Sequence, residues 1–289
     1  MFPFQVPDVP VGLSFAIEPI YGYHDQWQGE VVAVSDQHPF GIDVNTPNVA
    51  RIYDYMLGGK DNFAADRQAA EQILKAFPES REGVRLNREF LGNAVRHLVS
   101  EAGIRQFLDI GAGLPTRDNV HQVATSVLPE VRTVYVDNDP VVCVHGRALL
   151  AGAPTVAMIE GDLRSPGEIW SNAVETGLID PAEPVAVLLV AVLHFLDDPY
   201  AEVAKLREMM APGSYLVLTH LSSTEDRGKD TDRVRQVYAR TPSGVVPRSL
   251  KEIKEFFGDF EILDSGRFIS AGALRRFQIL GWAGVGHKV

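Results

Sequence analysis

The sequence predicts an α/β fold with a doubly wound, mostly parallel sheet, and three observations lead to that prediction. Short apolar runs alternate along the chain with stretches of helical period, as in repeated strand–helix units. Three of these runs end in an aspartate, at Asp109, Asp137 and Asp162. The first run is followed at once by a Gly-Ala-Gly turn, which is typical of a strand that leads into a helix at a ligand site.

The stretch 106–117 indicates a buried strand, a tight turn and a helix start. Gly111 and Gly113, with Ala112 between them, would let a ligand approach the backbone closely because the glycines carry no Cβ. We expect Pro115 in the first turn of the helix, where no amide hydrogen is needed.

The residues of this turn discriminate between nucleotide ligands. A dinucleotide fingerprint would place a third glycine at position 116, where Thr116 stands, so a nicotinamide dehydrogenase is disfavoured. A Walker-type phosphate loop would need a Gly-Lys-Ser/Thr ending, which the turn lacks. The carboxylate of Asp109 is a poor neighbour for a pyrophosphate and a good neighbour for a cation. S-adenosylmethionine has a sulfonium, an α-ammonium and no phosphate, which fits this acid. A Gly-x-Gly turn alone is not specific, so the following strands must decide.

The next two strands supply acceptors for the rest of that ligand. Asp137, with Asn138 after it, is expected to accept hydrogen bonds from both ribose hydroxyls. Asp162 is expected to accept one from the adenine amino group, with Leu163 against the ring. Ligands of open α/β sheets bind at the carboxyl ends of the strands, so these acids would share one edge. The alternative is that each acid is a helix N-cap or a turn residue.

Composition excludes several classes of partner. The chain has 289 residues, which is room for one large α/β domain with an appendage or for two domains. A net charge of −11 argues against nucleic acid or an anionic membrane as the main partner. The longest apolar run, Val185 to Leu193, is far shorter than the ~18 residues that span a bilayer.

Cysteine usage and the N-terminal residues bear on the compartment. The single Cys143 excludes an internal disulfide and fits a reducing environment. No Lys or Arg precedes Arg51, so we expect no secretory signal. We expect a cytoplasmic protein, and because no cluster of metal-ligand residues stands out we expect no metal.

A second informative segment precedes the first strand. Thr46 is the expected N-cap of a helix with Pro47 in its first turn, and the pair Gly58–Gly59 is expected to end that helix. The helix and the turn after it carry polar and flat apolar side chains, which we expect to cover the ligand as a lid: Arg51, Tyr53, Tyr55, Asn62 and Phe63. The alternative is a solvated helix with its C-cap.

Two motifs identify a family. The stretches 48–63 (Asn-Val-Ala-Arg-Ile-Tyr-Asp-Tyr-Met-Leu-Gly-Gly-Lys-Asp-Asn-Phe) and 109–116 (Asp-Ile-Gly-Ala-Gly-Leu-Pro-Thr) closely resemble a bacterial family of S-adenosylmethionine-dependent methyltransferase-like proteins, long described as a domain of unknown function. The resemblance covers about residue 41 to the end. It implies cofactor binding but no known substrate.

The same resemblance implies the architecture. We expect a Rossmann-like, doubly wound, seven-stranded sheet of the class I methyltransferase type, in the strand order 3-2-1-4-5-7-6, with a helical N-terminal cap. Residues 260–263 and 275–283 are expected to form the final antiparallel pair. We divide the chain into an N-terminal extension or arm (1–40), the helical cap (41–103) and the S-adenosylmethionine-binding methyltransferase domain (104–289).

Two more positions follow from looser resemblances. Residues 84–90 resemble the segment before the glycine loop of leucine-carboxyl-type methyltransferases, which implies that Arg88 holds the methionine carboxylate of the cofactor. Residues 193–196, Leu-His-Phe-Leu, resemble small-molecule methyltransferases, and Ala191 just before them is expected beside the cofactor. His194 is a candidate general base because a histidine titrates near neutrality. Alternatively, it packs beside the cofactor or caps the next helix.

The sequence therefore predicts a methyltransferase that acts on a small molecule, at oxygen more readily than at nitrogen. The alternative is a regulatory protein that binds S-adenosylmethionine without methyl transfer. Eight Lys and Arg residues between 227 and 254, Arg248 among them, would steer an anionic substrate or form a solvated face. A homo-oligomer remains open, with residues 1–40 as one contact.

Overall fold

Within the described part of the chain, seven strands form one sheet. The computed structural model describes residues 43–116, 118–150, 152–223, 244–264 and 281–289, with positions 232, 235, 236, 238, 239 and 268. The strands are β1 (Gln106–Ile110), β2 (Arg132–Asp137), β3 (Val156–Glu160), β4 (Ala186–Val190), β5 (Tyr215–Leu221), β6 (Glu261–Ile262) and β7 (Gly281–His287). Their order is β3-β2-β1-β4-β5-β7-β6, which confirms the predicted order.

The strand order reverses between β1 and β4, and this reversal positions the site. The first five strands pair in parallel, and β7 pairs antiparallel with both β5 and β6. Because β1 and β4 are neighbours whose connections leave in opposite directions, their carboxyl ends flank a crevice. Ligands of doubly wound sheets bind at such a switch point.

The last strand lies further along the chain than predicted. The antiparallel pairing of the final strands is confirmed, but β7 covers Gly281–His287, whereas we expected 275–283. Glycines weaken the strand pattern at its end, and Gly286 is required there because a Cβ would collide with the ring of Phe257. Residues 275–280 lie outside the described part.

The helices of the described ranges cover both faces of the sheet. They are α1 (Val49–Leu57), α2 (Ala64–Ala76), α3 (Ser80–Ser100), α4 (Val120–Val127), α5 (Pro140–Leu150), α6 (Pro166–Glu175), α7 (Tyr200–Met209) and α8 (Leu250–Glu255), with a 3-10 turn at Leu193–Phe195. One apolar layer includes Phe90, Phe107 and Leu188, and the other includes Leu108 and Leu189. Burial on both faces explains why the strands are almost continuously apolar.

Two helix starts differ from the prediction. Helix α1 is capped by Asn48, whose side-chain oxygen accepts the Ala50 N–H at 2.7 Å, and not by Thr46. The Thr46 carbonyl is instead bonded by Arg51. The prediction that Pro115 lies in the first turn of a helix was also wrong, since α4 begins at Val120. The Asn119 side chain accepts the Thr116 N–H at 2.9 Å and so stabilises a non-helical loop before the helix.

No helix in the described ranges combines the length and the apolar character that a bilayer span requires.

Candidate functional site

A cavity of about 270 Å³ lies at the carboxyl ends of β1 to β5. Its wall is formed by the ends of these strands together with α1 and α3. All the residues predicted to bind the cofactor line it: Arg88, Asp109, Gly111, Ala112, Gly113, Asp137, Asn138, Asp162, Leu163 and Ala191. The sheet therefore brings together groups that are up to about a hundred residues apart in sequence.

The glycine turn presents bare backbone to the cavity. Gly111 and Gly113 have φ values of 73° and 67°, in the left-handed region that favours glycine. A Cβ on Gly111 would collide with the side chain of Val192. A Cβ on Gly113 would meet no protein atom within 4 Å. Gly111 is thus required by packing, whereas Gly113 leaves space in which a ligand can approach the chain.

Asp137 joins β2 to this turn. Its carboxylate accepts hydrogen bonds from the Gly113 N–H at 2.8 Å and the Asp139 N–H at 2.9 Å. Burial raises the pKa of Asp137, and these two bonds oppose the rise. Next to it, the carboxylate of Asp162 accepts bonds from the side chains of Asn138 (3.0 Å) and Arg164 (2.8 Å). These bonds fix both acids at the cavity wall.

The carboxylate of Asp109 is buried and accepts no hydrogen bond from a described residue. The residue is only 6% exposed, and no hydrogen bond to its carboxylate is present within the described ranges. Burial raises its pKa to about 7, while Arg88 acts in the opposite direction and Asp137 adds to the rise. A cation delivered to this carboxylate would compensate its buried charge. The wall therefore fits a cofactor with a positive amino-acid end.

Arg88 reaches the cavity from α3. Its Nη2 donates to the Asp118 carbonyl at 2.9 Å, which anchors the guanidinium beside the loop that follows β1. Its charge also opposes the rise in the pKa of Asp109. A cation and an anion thus stand near each other at one end of the cavity, as a zwitterionic ligand group requires.

His194 lines the cavity on the turn that follows β4. The chain turns sharply there, since Ala191 has a φ of 59° and its N–H donates to the Thr219 hydroxyl at 2.9 Å. His194 is 5% exposed, and its buried Nδ1 has no hydrogen-bond partner among the described residues. Burial, and then the neighbouring His220 and Arg248, hold the pKa of His194 well below its usual value. His194 is therefore uncharged at neutral pH.

Of the five expected lid residues, only Tyr53 lines the cavity. Its hydroxyl donates to the Val84 carbonyl at 3.3 Å and accepts from the Asn87 side chain at 2.8 Å. Tyr55 bonds Glu71 on α2.

The other three contact residues of the first two helices and of the turn between them. Arg51 is buried and paired with Asp66, Nε to Oδ2 at 3.2 Å. The ring of Phe63 lies under its guanidinium, with 5.2 Å between the ring centroid and Cζ. Asn62 donates to the Asp54 carboxylate at 2.8 Å. The role of this segment as a lid stays a prediction.

Several wall residues carried no signal of a ligand site in the sequence. From β5 these are Thr219 and His220, from α3 Asn87, and from α1 Ile52 and Met56. The helical period of α1 could have indicated that Ile52 and Met56 are buried, but it does not say against what.

Comparisons with known proteins identify the family. The profile of the S-adenosyl methyltransferase family matches residues 35–272. The fold is similar to that of a candidate methyltransferase from Thermobifida fusca YX, at 40% identity over 85% of this chain and 96% of that one, with a TM-score of 0.78. It is also similar to a DUF574 family protein from Streptomyces avermitilis MA-4680, at 36% identity over 86% of this chain and 99% of that one, with a TM-score of 0.79.

No protein of curated function matches the sequence significantly. The match to the family profile covers most of the chain, and both solved structures are matched over nearly their whole length. The chain therefore belongs to the family of S-adenosylmethionine-dependent methyltransferases, and its cofactor is S-adenosylmethionine.

Proposed function

We propose that the protein transfers a methyl group to the hydroxyl oxygen of an uncharged small molecule, with His194 as the general base. The observation that supports this most is the buried, uncharged imidazole of His194 in the wall of the cofactor cavity. An imidazole that is uncharged at neutral pH has one nitrogen that can accept a proton from an acceptor hydroxyl.

The strand-end residues would hold the cofactor. Asp137 would accept hydrogen bonds from the ribose hydroxyls, and Asp162 one from the adenine amino group, with the buried Leu163 against the ring. Asp109 would face the ammonium, and Arg88 the carboxylate. When bound, S-adenosylmethionine supplies an electrophilic methyl carbon on a positively charged sulfur. The division into a cap at 41–103 and a methyltransferase domain at 104–289 belongs to this proposal.

The part of the cavity wall near the ends of β4 and β5 favours an uncharged acceptor. Phe195 and Tyr238 line it, with 6.0 Å between their ring centroids, and Leu196 lies beside them. The two imidazoles on this side have lowered pKa values, that of His220 to about 4. The described side chains that line this side thus carry no charge at neutral pH, and desolvating an ionised acceptor against them would be costly. The charged Arg248 contacts His220 but does not line the cavity.

The weakness of the base favours an acidic hydroxyl over an aliphatic one. A low pKa keeps His194 unprotonated but makes it a poor proton acceptor. Proton transfer is then easiest from a hydroxyl that ionises readily, such as a phenol. His194 Nδ1 is buried, so Nε2 would receive the proton, and the proton of the neutral ring would then be on Nδ1. The residues around the acceptor would otherwise orient it and exclude water.

A matched acceptor set tests the proposal. Phenols, cyclohexanols, anilines and benzoates of similar size are incubated with S-adenosylmethionine, and methylated products are measured by mass spectrometry. We expect methyl ethers of phenols. His194→Gln should lower kcat about 10²- to 10⁴-fold, the usual contribution of a general base. S-adenosylhomocysteine affinity, measured by calorimetry, should stay within about twofold.

The control is His145→Gln, because His145 lies on α5 and does not line the cavity. It should change neither quantity. Methylation of anilines alone would contradict oxygen as the acceptor atom. An equal loss of cofactor affinity and turnover in His194→Gln would assign His194 to the cofactor site instead.

A further inference from the structure

Arg248 was expected to belong to a basic surface, and the structure buries it. Its side chain is 4% exposed, in the segment that leads into α8. This segment runs beside the end of β5: the Arg248 N–H donates to the Leu221 carbonyl at 3.2 Å, and its own carbonyl accepts the Ser223 N–H at 2.8 Å. Arg248 is therefore fixed in the fold, and it does not steer ligands from the surface.

The guanidinium bonds the turn that carries His194. Nη1 donates to the Leu193 carbonyl at 3.0 Å. Nη2 donates to the carbonyls of Leu196 at 2.9 Å and Asp197 at 2.6 Å. The backbone of the same segment bonds His194 itself, since the Val246 N–H donates to its carbonyl at 2.7 Å. One short segment thus satisfies four carbonyls in and just after this turn.

Arg248 also reaches the imidazole that borders His194. Its Nη1 lies 3.0 Å from His220 Nε2. A guanidinium can only donate, so Nε2 accepts, and the proton of the neutral ring lies on Nδ1, which donates to the Leu221 carbonyl at 2.7 Å. The His220 ring then meets the His194 ring edge to face, with 5.4 Å between centroids.

No carboxylate in the described ranges forms an ion pair with this guanidinium. It stacks instead near aromatic rings, 5.5 Å from the centroid of Phe256 and 5.7 Å from that of Tyr200. A buried charge held mainly by carbonyls is costly for stability. A lysine could not replace it, because only the planar fork makes bonds in several fixed directions.

We propose that Arg248 is a positioning residue for His194: it fixes the turn that carries His194 and the tautomer of the adjacent His220. The proposal rests on the proposed role of His194 as the base. It adds a residue that touches neither cofactor nor acceptor in that scheme and acts through the turn and the second imidazole.

The proposal has a pH signature. Among the described residues, Arg248 influences the pKa values of both imidazoles, and Glu252 of α8 influences that of His220. Tyr200 of α7 interacts with Arg248 and not with the imidazoles. The positive charge of Arg248 helps to lower the pKa of His194. Removing that charge should raise the pKa of His194. Replacing Arg248 by Lys keeps the charge, so the pKa of His194 should stay low, but the hydrogen bonds that fix the turn should be lost.

The experiment is a histidine titration by NMR on the full chain with 13C-labelled imidazoles, saturated with S-adenosylhomocysteine. His194 and His220 are assigned with His194→Gln and His220→Gln. We expect the His194 midpoint to move to higher pH in Arg248→Gln and to stay near the wild-type value in Arg248→Lys. Arg207→Gln is the matched control, since Arg207 also bonds a carbonyl of the α8 region, that of Phe256, but not the His194 turn.

An unchanged His194 midpoint in folded Arg248→Gln would overturn the proposal, as would an equal shift in the Arg207 control. If Arg248→Gln fails to fold, the 15N spectrum of His220 in the wild-type protein still tests the proposal. We expect the proton on Nδ1, and a proton on Nε2 would overturn the donor–acceptor contact. These readouts need no turnover, so they remain valid if His194→Gln proves to keep full activity and the proposed function fails.

Discussion

The carboxylate of Asp137 accepts a 2.8 Å hydrogen bond from the Gly113 backbone N–H, and this bond ties the end of β2 to the turn after β1. Two groups predicted from separate motifs therefore form one unit. A ligand that bonds Asp137 would lie close to the backbone of Gly113. Changes at either residue should affect cofactor binding, and the two glycines of the turn allow that effect to be separated from folding.

Alanine at the two glycines should give different defects. Both substitutions place a Cβ at positive φ, at a cost of about 1–2 kcal/mol. Gly111→Ala additionally collides with Val192, so its free energy of unfolding should fall further. Gly113→Ala meets no protein atom, so it should lose mainly affinity for S-adenosylhomocysteine. Urea unfolding and calorimetry measure the two quantities, and a larger stability loss for Gly113→Ala would contradict this division.

Asp109 should make the ligand-free protein less stable as the pH rises. Its folded pKa is about 7, against an ordinary value of 3.8, so the native state holds a proton that the unfolded chain has lost between these values. The free energy of unfolding should therefore fall from about pH 4 to pH 7, by at most about 1.4 kcal/mol for each pH unit in this interval. Asp109→Asn should remove this part of the pH dependence in urea titrations.

The same carboxylate should make ligand binding pH-dependent. Between pH 6 and 8 a growing fraction of Asp109 is ionised and able to bind an ammonium. The affinity for S-adenosylhomocysteine should rise over this range in the wild type and stay flat in Asp109→Asn. Methylthioadenosine, which has no ammonium, is the control ligand. An equal pH dependence for both ligands would contradict the assignment of Asp109 to the amino-acid end.

The site residues that lie at the ends of strands could be predicted from the sequence. Asp109, Asp137 and Asp162 each end an apolar run, and parallel strands bring such ends to one edge. That reasoning needs only local patterns and one rule of topology. The order of the strands came from the resemblance to a family, since alternation alone does not specify which strands are neighbours.

The parts that depend on distant contacts could not be predicted. An arginine in a basic stretch such as that of Arg248 usually lies on the surface. Only the fold shows that its side chain donates hydrogen bonds to a turn some fifty residues earlier. Arg51 likewise has the spacing of a lid residue, but its partner Asp66 lies on another helix. A sequence states which groups are charged and does not state which pairs meet in the interior.

The buried pair of Arg51 and Asp66 should be a stability determinant of the first two helices. The Asp66 side chain is fully buried, and it also accepts the N–H groups of Asn48 and Phe63 at 2.8 Å each. Asp66→Ala leaves the guanidinium without its anion, and the free energy of unfolding should fall by about 3–5 kcal/mol. Asp232→Ala is the control, because its pair with Arg235 is exposed and should contribute less than about 1 kcal/mol.

Arg88 should select the carboxylate of the cofactor, and two ligands make this testable. S-adenosylhomocysteine has the amino-acid end, whereas methylthioadenosine lacks it and keeps the adenosine part. Arg88 lines the cavity, and its bond to the Asp118 carbonyl orients the fork. Arg88→Ala should weaken S-adenosylhomocysteine about 10- to 100-fold, the usual value of a charged hydrogen bond, and leave methylthioadenosine nearly unchanged.

Arg88→Lys should restore only part of the affinity, because a point charge cannot form the two parallel bonds of a guanidinium. Arg96→Ala is the matched control: Arg96 lies on the same helix and bonds Asn93, but it does not line the cofactor cavity. It should change neither affinity. Equal losses for both ligands in Arg88→Ala would mean that the substitution disturbs the cavity as a whole, and Arg88 would then have no special role toward the carboxylate.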